Sequence, residues 1–175
     1  DVGCDLGTRE DSWRGIHRIH IGTKRGGSVG TMEFDLACVR HVLGRPGVDL
    51  VLGYNTAIFN LLQCWKKRHV FMNMDGIEWK RAKWSLPAKA WFMMNEMIGA
   101  NLCNVAIADH PEIGSHVAKR CRKVPVVIHY GGDVVGAASA VPVLELGAAP
   151  GKYFVSIARI EPENSVLETI QAFQG

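Results

Sequence analysis

A chain of 175 residues with 47% hydrophobic and 21% charged positions can bury one full core and is too apolar to be disordered. Its formal charge of +3 is too small to imply nucleic acid, although cations cluster at Lys66-Lys67-Arg68, Lys80-Arg81-Ala82-Lys83 and Lys119-Arg120-Cys121-Arg122-Lys123. No apolar run reaches the roughly 20 residues of a membrane span, and no signal peptide is visible.

The five cysteines (Cys4, Cys38, Cys64, Cys103, Cys121) form no C-x-x-C pair, so zinc spacing is absent and a disulfide framework is not expected. They read as reduced and mostly buried, hence intracellular. Both ends look cut: the opening residues are glycine-rich and uncapped, and the last helix stops at Gly175 soon after it begins. A fragment of a longer polypeptide is therefore expected.

Residues 1–15 carry no assignable pattern. Ile16–Ile21 alternates apolar residues with His17, Arg18 and His20, as a strand near a sheet edge does. The glycine-rich stretch 22–31 follows, where backbone N–H groups can hold phosphate, but it is neither a P-loop nor G-x-G-x-x-G. A flexible turn with an N-cap at Ser28 or Thr31 fits it better. Met32, Leu36, Val39 and Leu43 then mark one helix face, ended by Gly44 and Pro46.

A second strand spans 48–54 and runs into Asn55 and Thr56, the latter placed to cap a short helix over 57–65. Val70-Phe71-Met72 is a third, buried strand. Beyond Asn73-Met74 come Asp75, Gly76, Ile77, Glu78, Trp79, Lys80 and Arg81. Carboxylates beside cations suit acid–base work or a polyhydroxylated substrate. A plain charged turn entering a helix fits the same residues.

Ser85 and Pro87 open a helix whose apolar side includes Trp91, Met94, Ile98 and Leu102, more in the manner of core than of a groove. Trp84, Trp91 and the nearby lysines also fit an interfacial membrane patch. A fourth strand, Val105–Ala108, ends at Asp109-His110, and Pro111 opens the next helix. A fifth strand over 124–129 ends in Tyr130-Gly131-Gly132-Asp133. Residues 134–151 read as a linker with a short helix, 153–159 as a new strand, and Ser165 to Glu168 as a capping box.

This alternation predicts an α/β, doubly wound, Rossmann-like parallel sheet with helices on both faces. The linker places a domain break near 150, giving 1–150 and 151–175. In a parallel sheet the strand-end loops share one rim, the usual place for a ligand. Among the seven histidines only His110 and His129 lie near it, and each reads more readily as a structural residue than as a catalyst.

Several runs carry a family resemblance. Asn73-Met74-Asp75-Gly76-Ile77-Glu78-Trp79-Lys80-Arg81 resembles the Asn-x-Asp-Gly-x-Glu-Trp-Lys-Arg segment of the bacterial rhamnosyltransferase-like branch of glycosyltransferase family 4. Val105-Ala106-Ile107-Ala108-Asp109, Ile128-His129-Tyr130-Gly131-Gly132-Asp133 and Ala158-Arg159-Ile160-Glu161-Pro162-Glu163-Asn164 resemble its later motifs in the same order, and Leu52-Gly53-Tyr54-Asn55 also fits. The match covers nearly the whole chain.

The resemblance implies the N-terminal half of a GT-B fold, truncated at both ends, with no required metal and no cofactor. It implies retaining transfer of a sugar, L-rhamnose being one candidate, from a nucleotide-diphosphate donor to a saccharide or lipid-linked acceptor in surface polysaccharide synthesis. Cytoplasmic location with peripheral contact at the inner membrane face goes with this. Asp75 takes the catalytic position, holding acceptor or sugar hydroxyls. Arg159, Glu163 and Asn164 take donor positions, Arg159 at the diphosphate. Asn55, Gly76, Glu78, Trp79, Lys80, Arg81, Asp109, Tyr130, Gly131 and Asp133 line the acceptor side or the cleft.

The chain departs from the pattern in places. Met74 replaces a common histidine, Asn164 stands where a lysine is usual, and Val29-Gly30-Thr31 replaces Leu-Asp-Thr. The first strand with its glycine-rich loop and the paired donor-gripping glutamates are not in the sequence. The fragment alone is expected not to catalyse transfer. A non-catalytic remnant that binds carbohydrate or a partner is the alternative, and a generic nucleotide-binding Rossmann domain is disfavoured by the lack of G-x-G-x-x-G.

Overall fold

Four short apolar runs pair in register as a parallel sheet in the computed structural model, which describes residues 8–134, 136, 138–149 and 151–174, without the side chains of Glu163 and Gln174. The strands are β3 (Asp49–Leu52), β4 (Val70–Asn73), β5 (Val105–Ala108) and β6 (Val126–Val127), side by side in chain order. Parallel neighbours need a crossover, and helices supply each one. These are α2 (Asn60–Trp65), α3 (Leu86–Leu102) and α4 (Pro111–Arg120). The α/β, Rossmann-like expectation is met.

Ahead of the sheet lie β1 (Thr8–Trp13), β2 (Ile16–Ile21) and α1 (Gly27–Val42). The expected strand at Ile16–Ile21 forms, but it joins a separate antiparallel hairpin with β1 instead of the parallel sheet. Arg14 and Gly15 both take positive φ (50° and 79°), as a two-residue hairpin loop requires. Across the hairpin the guanidinium of Arg18 grips Asp11 with two bonds of 2.7 and 2.9 Å.

α1 begins at Gly27, not at residue 32, and Gly26 takes the cap position expected of Ser28 or Thr31. Thr31 instead donates back to Gly27 O at 3.3 Å. Thr56 precedes a single 3₁₀ turn, Ala57–Phe59, as placed, yet its hydroxyl donates to Asp35 on α1 (2.7 Å) and makes no cap bond.

The core lies where α3 crosses the sheet, among Tyr54, Met72, Met74, Phe92, Ala106 and Val117. Gly99 permits the approach: a Cβ there would meet Met72 Sδ at 2.5 Å and Ala57 Cβ at 3.0 Å. Cys38, Cys64, Cys103 and Cys121 are free thiols, and burial pushes all four above the ordinary thiol pKa. No helix among the described residues is long and apolar enough to cross a membrane.

The chain divides into two units. One runs to Lys80 and from Trp84 to His129; the other takes Arg81–Lys83 and everything from Tyr130 onward. The second unit contains α5 (Val141–Glu145), a 3₁₀ turn at Pro162–Asn164 and α6 (Val166–Gln174). The strand expected over 153–159 does not form among the described residues. Phe154 instead sets its ring edge-on to Phe173 of α6 at 5.4 Å. Ser165 adopts a left-handed φ of 47°, so the expected capping box is not the extended N-cap that the motif needs.

Candidate functional site

The rim of the first unit is built around the loop that leaves β4. Met74 continues the ladder, its N–H donating to Ile107 O at 2.8 Å, and its side chain enters the core. The chain then turns sharply at Asp75, whose φ of 41° is rare for a residue with a Cβ. The Asn73 side chain supports that turn by accepting the Asp75 N–H at 3.2 Å. Asp75 itself stays exposed.

Tyr54, just beyond β3, holds the next residues. Its hydroxyl donates to Gly76 O and accepts from the Glu78 N–H, each at 2.9 Å. Burial pushes the phenol far above its usual pKa, so it remains a neutral donor at any ordinary pH. The carboxylate of Glu78 in turn accepts the Trp84 indole N–H at 2.9 Å, and the Trp84 ring lies 4.9 Å from that of Phe92.

A buried acid fixes the far side of the loop. Glu96 of α3, 1% exposed, accepts the Trp79 indole N–H at 2.8 Å. The same carboxylate receives Arg120 Nε at 2.7 Å and lies 3.2 Å from His116 Nε2, both on α4. The Arg120 guanidinium also sits 4.9 Å from the Trp79 ring centre, and the Lys80 ammonium 5.6 Å from it. A carboxylate so buried needs a paired cation and satisfied lone pairs; Arg120 supplies the charge, and the Arg120 and Trp79 N–H groups supply hydrogen bonds.

Of the residues singled out from sequence, Asn55, Asp75, Gly76, Glu78, Trp79, Lys80 and Asp109 share this rim. Asn55 O accepts the Trp91 indole N–H at 2.8 Å, tying the β3 rim to α3. Asp109 follows β5, and its Oδ1 is buried with no hydrogen-bond partner among the described residues. His110 is a helix cap: its Nδ1 accepts the Glu112 N–H at 3.2 Å, a structural role. Trp84 and Trp91, the tryptophans linked to a membrane patch, both spend their indole N–H groups inside the protein.

The remaining candidates belong to the second unit. There the Glu161 carboxylate bonds the Arg81 guanidinium, lies 3.5 Å from the Lys83 ammonium and 4.0 Å from Arg159. Asn164 Nδ2 donates to Arg159 O at 2.8 Å. Tyr130, Gly131 and Asp133 are exposed. The side chain of Glu163 lies outside the described residues. Among the described residues no three His, Cys, Asp or Glu side chains converge to hold a metal.

Sequence reasoning did not find Glu96, Arg120 and His116 as supports of the rim, nor the hydroxyl of Tyr54. A signal for Glu96 was present: it is the one acid of α3 and lies four residues after core Phe92, on the same helix face. A separate groove of about 630 Å³ lies between α1 and β3, lined by Asp35, Cys38, Val39, Leu50, Asn60 and Gln63 among others.

The family described as a domain of unknown function, DUF1972, matches residues 38–133. The chain belongs to this family. The matched span runs from within α1 to Asp133, so it contains the whole parallel sheet, the Asp75 loop and the Glu96 cluster. No curated protein and no solved structure matches the chain. The DUF1972 domain is thus the part of the chain in which the candidate rim is built.

Proposed function

We propose that this chain is the acceptor-side part of a retaining glycosyltransferase. It takes a nucleotide-diphosphate sugar, L-rhamnose being the first sugar to try, and passes the glycosyl group to a saccharide or lipid-linked saccharide. The observation that carries this reading is the Asp75 loop. One exposed carboxylate stands at the carboxyl rim of a parallel sheet, on a backbone braced by Tyr54 on one side and Glu96 on the other. Such bracing is what a hydroxyl-binding group needs, because catalytic geometry tolerates little misplacement. The motif resemblance supports the sugar-transfer chemistry.

In this reading Asp75 accepts a hydrogen bond from an acceptor or sugar hydroxyl and orients it. The neighbouring backbone of Gly76 leaves room for a sugar ring. Lys80, exposed on the same loop, adds positive field toward an anionic ligand. Arg159 serves the donor, where departure of a nucleoside diphosphate develops negative charge that a fixed guanidinium stabilises.

The test is turnover of a panel of nucleotide-diphosphate sugars by the full-length natural protein, with Arg159→Ala beside the wild type. Consumption of one donor, reduced at least roughly tenfold in Arg159→Ala, is expected. Failure to consume any donor overturns the transferase reading, and undiminished activity of the variant removes Arg159 from the donor site.

A further inference from the structure

Within the second unit, the ion pairs around Glu161 bring two solvent-reachable cations to one carboxylate oxygen. The cations of that unit are Arg81, Lys83, Lys152 and Arg159. Three of them gather at Glu161, whereas Lys152 lines an apolar groove with Phe154 and Phe173. Glu161 Oε2 holds the Arg81 guanidinium, and the two side chains are only 23% and 19% exposed. Glu161 Oε1 lies 3.5 Å from Lys83 Nζ and 4.0 Å from Arg159 Nη1. These two are the partners that a ligand can reach, with side chains 39% and 75% exposed.

The backbone fixes this arrangement. Arg159 O accepts the Glu161 N–H at 2.9 Å and Asn164 Nδ2 at 2.8 Å, and the Asn164 N–H donates to Glu161 O at 3.0 Å. Arg159 and Glu161 thus leave one closed turn, and Arg81 holds the end of the Glu161 side chain. Oε1 is then a fixed point that draws Lys83 and Arg159 to the same place. A nucleoside diphosphate departs with more negative charge than one guanidinium balances, so a second cation beside Arg159 has a chemical purpose.

We propose that Lys83 is a second donor-site residue, which binds the diphosphate of the sugar donor together with Arg159. The Arg159 guanidinium offers a planar fork that can take two phosphate oxygens. Lys83 offers a point charge on a flexible stem, which follows the charge as it builds on the departing group. Glu161 keeps the two cations together against their mutual repulsion when no donor is bound. The motif resemblance left Lys83 without a role. The assignment rests on the transferase reading.

The test is calorimetric binding of inorganic pyrophosphate, dTDP, UDP and GDP to the full-length protein, with no acceptor present. Binding of at least one of the four is expected. Lys83→Ala should weaken it at least roughly tenfold, as should Arg159→Ala, while Lys152→Ala leaves it unchanged. Lys83→Gln, which keeps the length without the charge, should lose as much, and Lys83→Arg should recover most of the affinity. Thermal unfolding should stay at the wild-type value throughout, because Lys83 is largely exposed. No binding of any of the four, or equal binding by the wild type, Lys83→Ala and Lys83→Gln, overturns the proposal. So does an equal loss in Lys83→Ala and Lys152→Ala, which would report net charge alone. A protein that binds a diphosphate through Lys83 yet consumes no sugar donor overturns only the transferase reading. One that consumes a donor with unchanged kcat/KM after Lys83→Ala overturns only this assignment.

Discussion

The indole N–H of Trp79 reaches the carboxylate of Glu96 at 2.8 Å, and through it the rim loop is tied to α3 and α4. Glu96 is the hub because Arg120 and His116 have no other acid of α3 to face. Glu96→Ala leaves Arg120 without its partner and Trp79 without its acceptor. We expect a loss of about 3 kcal/mol in urea unfolding, since removing one member of a buried pair strands the other. Glu96→Gln keeps an acceptor for Trp79 and should cost less. Equal stability of wild type and Glu96→Ala would mean that the cluster does not anchor the loop.

The Tyr54 hydroxyl is the second brace. Tyr54→Phe leaves Gly76 O and the Glu78 N–H without that partner, a loss of about 1–3 kcal/mol. Amide exchange at Glu78 should accelerate in the variant, while exchange in β5 stays as it is.

Two aspartates should push stability in opposite directions with pH. Burial raises the pKa of Asp35 while its bond from Thr56 lowers it, and burial wins. The folded state thus holds that proton to higher pH than the unfolded one. Stability declines as pH rises from the ordinary aspartate range through the raised native value, and the cost is complete above it. Asp35→Asn, which still accepts from Thr56, should stabilise at neutral pH and not below about pH 4. Asp11 is held low, chiefly by the Arg18 guanidinium. Its contribution is present above the ordinary aspartate range and lost as pH falls through the lowered native value, so Asp11→Asn should destabilise only on the neutral side. Urea midpoints measured across pH for both variants check the two signs.

Buried thiols should be inert. Cys103 and Cys121 are held protonated by burial, so iodoacetamide at neutral pH should label them far more slowly in the native protein than in urea. Rapid native labelling of both would contradict the packing of α3 and α4 on β5.

Elements with strong periodicity were legible in the sequence. β5 and the Pro111 start of α4 fall where four apolar residues and a proline place them. β1 was not, because Thr8–Trp13 holds polar residues on both faces and gains its order from cross-strand ion pairs and a positive-φ turn. Residues 153–159 have the composition of a strand, but strands need partners, and no described strand pairs with them. At the rim, the Asp75 loop was visible from its motif. Its supports were not, since Glu96, His116 and Arg120 are distant in sequence and only the packing of α3 against α4 brings them to Trp79. The core-like reading of the α3 apolar side did not extend to its polar ties, the indole N–H bonds of Trp84 to Glu78 and of Trp91 to Asn55 O, which no sequence pattern announces.

The central claim is that Asp75, presented by that braced loop, orients the hydroxyl that receives or carries the sugar. The most direct measurement is the steady-state transfer rate of the full-length protein with Asp75→Ala beside the wild type, both checked by circular dichroism. Because Asp75 is exposed, the variant should fold normally and lose roughly a hundredfold or more in kcat/KM. A correctly folded Asp75→Ala protein that transfers at the wild-type rate would contradict the account.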